Sequence, residues 1–359
     1  MHPGWLIHLS PARPFDYDLY VLKPFVTIVV PTWSASAHLA GLYASIHDCG
    51  LAEITREVVF VNDGSPDETV AVLEGLRAQG RQIPIRIITF DSNRGRFLAR
   101  FEGAKTAQTD KLLFLDSRIV MPAGFGALLA GLADQFPSLS GHMDIDTSRD
   151  VFSLYWDRSH RVLFRRHYRD SKVPLTLVPE NFDRYLKGTT IFYCSTSVFV
   201  ETCRLYENTP LYSDDTFLMK EMVKTEPITV HPQIRIGWVP RDNAKSFLKA
   251  LWDRGPGFAE YHMFERRGVL FWAMVLGILV CLGWVALAIM HPMLALWVLL
   301  GGLALLALSC IPFARSPMEF LRMAPLHAGV ILAYGFGAVR GIFVIFGKRL
   351  RKTSSHASV

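Results

Sequence analysis

Cysteine is scarce in this chain: Cys49, Cys194, Cys203, Cys281 and Cys310 are the five in 359 residues, and no two are spaced as CxxC. That excludes a disulfide framework or a cysteine-held metal and fits a reducing compartment. Strong charge of either sign is also lacking. Lys and Arg total 38 against 32 Asp and Glu, a formal +6, which is mild for this length. It suits attraction to anionic lipid or phosphate better than the wrapping of nucleic acid, and no zinc-finger, homeodomain or RNA-binding signature is present. No nucleic-acid partner is therefore expected. Residues 1–24, with Pro3, Pro11, Pro14 and Asp16, lack an apolar core, so no signal peptide is expected and the bulk of the chain is expected in the cytoplasm. One absence is local: Val269–Met290 holds no charged residue.

Hydrophobic residues make up 50% of the chain, and they fall into two kinds of pattern. The first half alternates short apolar runs with helical stretches. Runs at 26–30, 57–61, 85–89 and 112–115 end in Pro31, Asn62-Asp63-Gly64, Phe90-Asp91 and Asp116. Helices are expected near 37–46, 66–79 and 96–107, the second opened by a Ser65–Glu68 capping box with Pro66 in the first turn. Apolar strands alternating with helices indicate a parallel sheet covered on both faces. Ligands of such sheets bind beyond the carboxyl ends of the strands, and Thr32, Asp63, Asn93 and Asp116 each follow a strand. Ordinary turn chemistry explains any one of these residues, but four on one edge less comfortably.

Residues 137–268 are less regular. A basic run spans 158–172, with Arg158, Arg161, Arg165, Arg166, Arg169 and Lys172. It is either a solvated face or a contact for lipid headgroups or an acceptor phosphate. The end of the chain reads as membrane. Val269–Met290 would be about 33 Å long as a helix, enough to cross a hydrocarbon core of roughly 30 Å. The run 293–311 follows after His291 and Pro292 only, so a tight hairpin is expected. A weaker third segment, 325–346, carries Arg340 and places Gly337 and Gly341 at helix-packing spacing.

In order along the chain, VTIVVPTW (26–33), VVFVNDGSPDET (58–69), NRGRFLARFEGAKTA (93–107), LLFLDSR (112–118) and YSDDTFLMKEM (212–222) resemble the successive motifs of family 2 glycosyltransferases. The resemblance covers about residues 25–260. It implies an α/β GT-A fold, Rossmann-like with a mostly parallel sheet, followed here by an α-helical membrane domain. The implied organisation is an N-terminal extension (1–24), a catalytic domain (25–240), an amphipathic interfacial region (241–268), a transmembrane domain (269–348) and a basic tail (349–359).

The resemblance also assigns roles. Pro31, Thr32 and Trp33 would line the pocket for the donor's base and ribose, with Asp63 accepting hydrogen bonds there from an exposed strand end. Arg100 would face the same pocket, or else pair with a nearby acid such as Glu102. Asp116 matches the first acid of the family's DXD motif, which holds Mg²⁺ or Mn²⁺ on the donor diphosphate. The third position is Arg118 where the family has an acid, so Arg118 either replaces part of the metal's charge or points away. Asp214-Asp215 occupies the place of the family's acidic pair, making Asp215 the base and Asp214 its helper; an N-cap is the structural alternative. Arg254, in a partial match to a Gln/Arg-x-x-Arg-Trp motif, would meet either the diphosphate or interfacial lipid.

The resulting expectation is an inverting glycosyltransferase that moves a sugar from a nucleoside-diphosphate sugar to a lipid or polyprenyl-linked acceptor. It would sit as a multi-pass protein in the cell membrane, with its catalytic domain and residues 265–267 cytoplasmic. Lys348, Arg349, Arg351 and Lys352 would prefer the same side, so 325–346 is expected to be re-entrant or interfacial. Two alternatives remain: a polyprenyl-phosphate sugar synthase whose acceptor phosphate lies on the 158–172 run, and a non-catalytic sugar-nucleotide-binding scaffold in a polysaccharide assembly complex.

Overall fold

A computed structural model describes residues 24–208, 211–265 and 268–356, excluding the side chains of 349–356. Nearly all of the expected N-terminal extension lies outside the described residues, as do Arg266 and Arg267. The strands are β1 (Val26–Thr32), β2 (Thr55–Asn62), β3 (Ile85–Thr89), β4 (Lys111–Leu115), β5 (Ile119–Val120), β6 (Ser138–Asp144), β7 (Leu175–Leu177), β8 (Ile191–Ser195) and β9 (Ile228–Trp238). The α-helices of the first 250 residues are α1 (Ser36–Asp48), α2 (Thr69–Ala78), α3 (Arg96–Lys105), α4 (Phe125–Ala133), α5 (Val151–Leu163), α6 (Arg165–Asp170), α7 (Thr196–Arg204), α8 (Asp214–Met222) and α9 (Ala244–Asp253).

All nine strands join one sheet in the order β3-β2-β1-β4-β8-β6-β9-β5, with β7 beside β9. The first four are parallel, as the run-and-helix alternation requires. The rest of the sheet is mixed: β8 is antiparallel to β4 and β6, and β5 and β7 are antiparallel to β9, while β6 and β9 are parallel. The expectation of a mostly parallel sheet is corrected on this point. Residues between 137 and 240 lack the regular strand–helix alternation that betrays parallel crossovers.

Period-two geometry divides the apolar strands between two cores. Val26, Ile28 and Val30 of β1 face Leu39, Leu42, Ile46 and Leu73 of α1 and α2. Val29, with Val59 and Val61 of β2, faces Phe97 and Phe101 of α3, Phe199 of α7 and Leu218 of α8. Both faces are covered, which is why the middles of these strands, residues 28–30 and 58–61, are continuously apolar. The expected Ser65–Glu68 capping box is not formed, and α2 begins only at Thr69. Asp67 does that local work instead, accepting from Ser36 Oγ (2.8 Å) and Thr69 Oγ1 (2.6 Å). Ser65 Oγ accepts from the Ser34 amide (3.1 Å), so the segment binds α1 and α2 together rather than capping one of them.

A third core joins the sheet domain to the C-terminal helices. Leu154, Tyr155 and Trp156 of α5 pack with Phe247 and Leu251 of α9 and with Cys310, Met323 and Ala324. Phe247 and Leu251, on the apolar side of α9, are thus spent on protein contacts. Beyond it come α10 (Gly255–Ala259), a π-helical stretch (Glu260–Glu265), α11 (Val269–Met290), α12 (Pro292–Leu308) and α13 (Pro317–His356). Helices α11 and α12 form the expected hairpin, and Trp284 Nε1 donates to Ala295 O across it (3.0 Å). Three segments are long and apolar enough to cross a membrane: Val269–Met290, Pro292–Phe313 and Pro317–Lys348. Helix α13 is uninterrupted through Pro325, so the expected re-entrant form, which needs a break, is corrected. The basic tail is partly helical, since α13 continues to His356. Gly337 and Gly341 do mark a close approach: a Cβ on Gly341 would stand 2.6 Å from Gly255 O, and one on Gly337 2.6 Å from Trp252 O. Small residues let α13 lie directly on the α9–α10 backbone.

Candidate active site

The carboxyl ends of β1, β2 and β4 form one rim. Thr32 is buried, and its Oγ1 donates to Val61 O (3.2 Å). Its carbonyl accepts from the Asp63 amide (2.9 Å). Pro31 is half-buried within β1, whereas Trp33 stands 47% exposed at its end, an open aromatic face suited to stacking. Asp63 departs from the expected exposed position: it is only 3% exposed. Its Oδ1 accepts from the Arg94 amide (2.6 Å) and its Oδ2 from the Gly95 amide (3.0 Å). Asp63 therefore fixes the loop that leads into α3. Burial raises its pKa against the pull of those two amides.

Helix α8 carries the acidic pair in its first turn, with Ser213 as N-cap. The N-cap alternative for either Asp is thereby corrected; both lie one or two residues inside the helix, where its dipole favours negative charge. Asp214 is 1% exposed and Asp215 24%. Arg100, buried on α3, directs Nη1 to both carboxylates, bonding Asp214 Oδ2 and, at 2.6 Å, Asp215 Oδ1. The alternative pairing of Arg100 with Glu102 is not made, and Glu102 bonds Lys105 (2.8 Å). Two neighbours escaped sequence reasoning. Thr189 Oγ1 donates to Asp215 Oδ1 (2.9 Å), and Arg96, 58% exposed, reaches within 3.4 Å of Asp214 Oδ1. Arg96 stands one helical turn before Arg100, and that spacing is the signal that could have found it. Burial opposes ionisation of Asp215, but Arg100, Arg96 and Thr189 outweigh it and hold this carboxyl well below the usual range. Asp214 moves the other way, raised by burial and by the adjoining Asp215. The pair thus offers an ionised, partly open carboxylate beside a buried one.

Asp116 is half-buried at the end of β4, and its Oδ1 accepts from the Arg118 amide (2.9 Å). Arg118 is half-buried as well; burial lowers its pKa first and the charge of Arg241 next, with Asp116 opposing both. His38 of α1 shares this corner, its pKa lowered by burial and then by Arg118. Arg149 reaches the same corner and lies 3.3 Å from Asp242 Oδ2. Arg254 sits over the Trp156 ring at 4.6 Å, close enough to Arg96, Arg241 and Asp215 for their charges to act on it. The structure therefore brings Asp116, Arg118, Arg254, Arg100, Asp214 and Asp215 to one cleft, and adds Arg96, Arg149, Arg241, His38 and Thr189.

The 158–172 run is a largely solvated face in which four of the six cations are paired with acids. Arg158 bonds Glu319 Oε1 (2.9 Å) and Asp157 (3.0 Å), Arg161 bonds Asp157 (2.7 Å), and Arg166 and Arg169 pair with Asp170. Glu260 forms a further link. Its buried Oε2 accepts from the Tyr212 amide (2.8 Å) and the Ser213 amide (2.9 Å), immediately before the acidic pair, and its Oε1 lies 3.7 Å from Lys348 Nζ on α13.

A family model described as "Glycosyl transferase family 2" matches residues 27–211. Among solved structures, the "Mannosyltransferase PcManGT from Pyrobaculum calidifontis in complex with GDP-Man and Mn2+" superposes with a TM-score of 0.54 at 14% identity, covering 91% of this chain and 90% of that one. At that identity the likeness speaks for the fold alone. S. aureus TarS 1-349 in complex with UDP-GlcNAc aligns at 16% identity over 68% of each chain with a TM-score of 0.45, too loosely to support an argument. No curated protein sequence matches the chain.

Proposed function

The chain belongs to glycosyl transferase family 2 and is a glycosyltransferase; from that premise we propose that it moves a sugar, with inversion, from a nucleoside-diphosphate sugar to a hydroxyl of a lipid or lipid-linked acceptor. The observation that carries this reading is the Asp214-Asp215 pair, locked by Arg100 at the mouth of the cleft with Asp215 the more open of the two. A carboxylate in that position can accept the acceptor's proton. The runner of apolar helices supports a membrane acceptor, because α13 packs on the segment that carries Arg254. We place the catalytic domain at the cytoplasmic face of the cell membrane, with Trp33, Thr32 and Pro31 against the base and ribose and the Asp63-anchored loop beside them.

A hydroxyl acceptor is favoured over a polyprenyl phosphate. Of the residues in 158–172 that would have held that phosphate, Arg158, Arg161, Arg166 and Arg169 are engaged by Asp157, Asp170 and Glu319, which leaves Arg165 and Lys172. A binding-only scaffold has no need of an acid pair organised in this way.

The motif calls for Mg²⁺ or Mn²⁺, and Asp116 is the residue that would hold it. Its surroundings do not fit that ion well. The second acid is replaced by Arg118, one oxygen of Asp116 already accepts a backbone amide, and no cluster of three His, Cys, Asp or Glu side chains fit to hold a metal exists among the described residues.

The test is to incubate full-length protein in native-lipid vesicles with a panel of nucleotide sugars and to follow nucleotide release and lipid products. Sugar transfer to a lipid hydroxyl, lost in Asp215→Asn, supports the proposal. A sugar-phosphate linkage in the product, or unchanged transfer by Asp215→Asn, refutes it.

A further inference from the structure

The corner around Asp116 is built from three chain segments that only the fold brings together. The Val239 amide donates to Arg118 O (3.0 Å), and Ile119 of β5 pairs with Trp238 of β9. This short pairing carries Arg241, two residues past Val239, to the side of Arg118. Arg149, just before α5, is tied there by its contact with Asp242. Among the described residues neither Arg118 nor Arg241 forms a salt bridge, although both are half-buried. Like charges gathered without partners destabilise the free chain, and a bound anion relieves them.

We propose that Arg118 and Arg241, supported by Arg149, hold the donor's diphosphate in place of a divalent cation. The inference rests on the reading of the chain as a nucleotide-sugar-dependent transferase. Two guanidinium groups supply the same formal charge as Mg²⁺ and can grip phosphate oxygens in bidentate fashion. A dication at Asp116 would instead be repelled by Arg118 and Arg241, which no salt bridge among the described residues offsets. In the transfer step the bond from the sugar's anomeric carbon to the β-phosphate oxygen breaks, and its electron pair leaves with the nucleoside diphosphate beside these arginines. The acceptor oxygen bonds to that carbon, and its proton passes to Asp215.

The experiment is calorimetric titration of the full-length protein in detergent with UDP, GDP and the other nucleoside diphosphates, in excess chelator and again with Mg²⁺ or Mn²⁺. Binding of one nucleotide that chelator leaves little changed is expected. Arg118→Ala and Arg241→Ala should each weaken it by about tenfold or more, the scale of a lost charge-assisted hydrogen bond. Arg241→Lys should recover part of the loss, and thermal unfolding confirms that each variant is folded. Chelator that abolishes wild-type binding, or wild-type affinity in a folded Arg241→Ala, overturns the inference while leaving the donor reading intact. No binding of any nucleotide with or without metal overturns both.

Discussion

Replacing Arg100 by Met tests the electrostatic lock on the acidic pair. The side chain is 7% exposed and serves Asp214, which is 1% exposed, and Asp215 together. Removing one partner of a buried ion pair leaves a charge without compensation, at a cost of roughly 3–5 kcal/mol. Arg96, 3.4 Å from Asp214 but 58% exposed, compensates in part, so the lower end is expected. For a domain of this size each kcal/mol lowers Tm by about 2–4 °C, which gives a fall of about 6–12 °C at the lower end. Intrinsic tryptophan fluorescence of the detergent-solubilised protein reads that shift. The decisive comparison is a second substitution. Adding Asp214→Asn to Arg100→Met removes the stranded charge and should restore part of the lost Tm. An unchanged Tm in Arg100→Met, or a further fall in the double variant, would refute the account.

Asp215→Asn should leave nucleotide affinity near wild type while reducing turnover by roughly 10²-fold or more, the scale of a lost general base; greater damage from Asp214→Asn would move the base one residue. Asp63→Ala should release the Arg94 and Gly95 amides, weakening nucleotide binding and lowering Tm together, and unchanged affinity by calorimetry would sink its assignment to the donor site. Acidification should also unfold the protein through His142 and His167, both buried and both held down to about 4, by burial first and by neighbouring charges after it. Their folded pKa values lie below the unfolded 6.5, so the unfolded chain takes up protons first and stability is lost as pH falls from about 6.5 towards 4, by up to about 1.4 kcal/mol per pH unit for each histidine. A Tm that stays flat between pH 7 and 5, or a His167→Gln variant with the same slope as wild type, would contradict this.

Strands were the most legible part of the sequence. The runs at 26–30, 57–61, 85–89 and 112–115 lie within β1 to β4, because strands buried on both faces leave continuous Val, Ile and Leu. The acidic pair and Asp116 were legible through motif order. Their environment was not. Arg100 meets Asp214 across 114 residues, and a pattern scan could offer only a neighbour such as Glu102. Asp63 looked exposed because it follows a strand and precedes a glycine, yet the loop at residues 94–95 folds back to cover it. Arg241 carries no local signal at all, since its position depends on β5 pairing with the far end of β9. The partner of Arg158 was out of reach for a related reason: Glu319 comes from a helix 161 residues further on.

Glu260 ties the sheet domain to the C-terminal helices. The carboxylate that steadies Tyr212 and Ser213 belongs to the segment after α10, and α10 keeps its place because Gly337 and Gly341 let α13 press against it. A chain cut after residue 240 would retain every strand of the sheet and still lose the brace behind its acid pair. Under the proposed membrane placement, the apolar helices act as a datum from which the height of the two carboxylates is set. An acceptor confined to the bilayer would meet them at a fixed depth, whereas one free in solution would find no such reference.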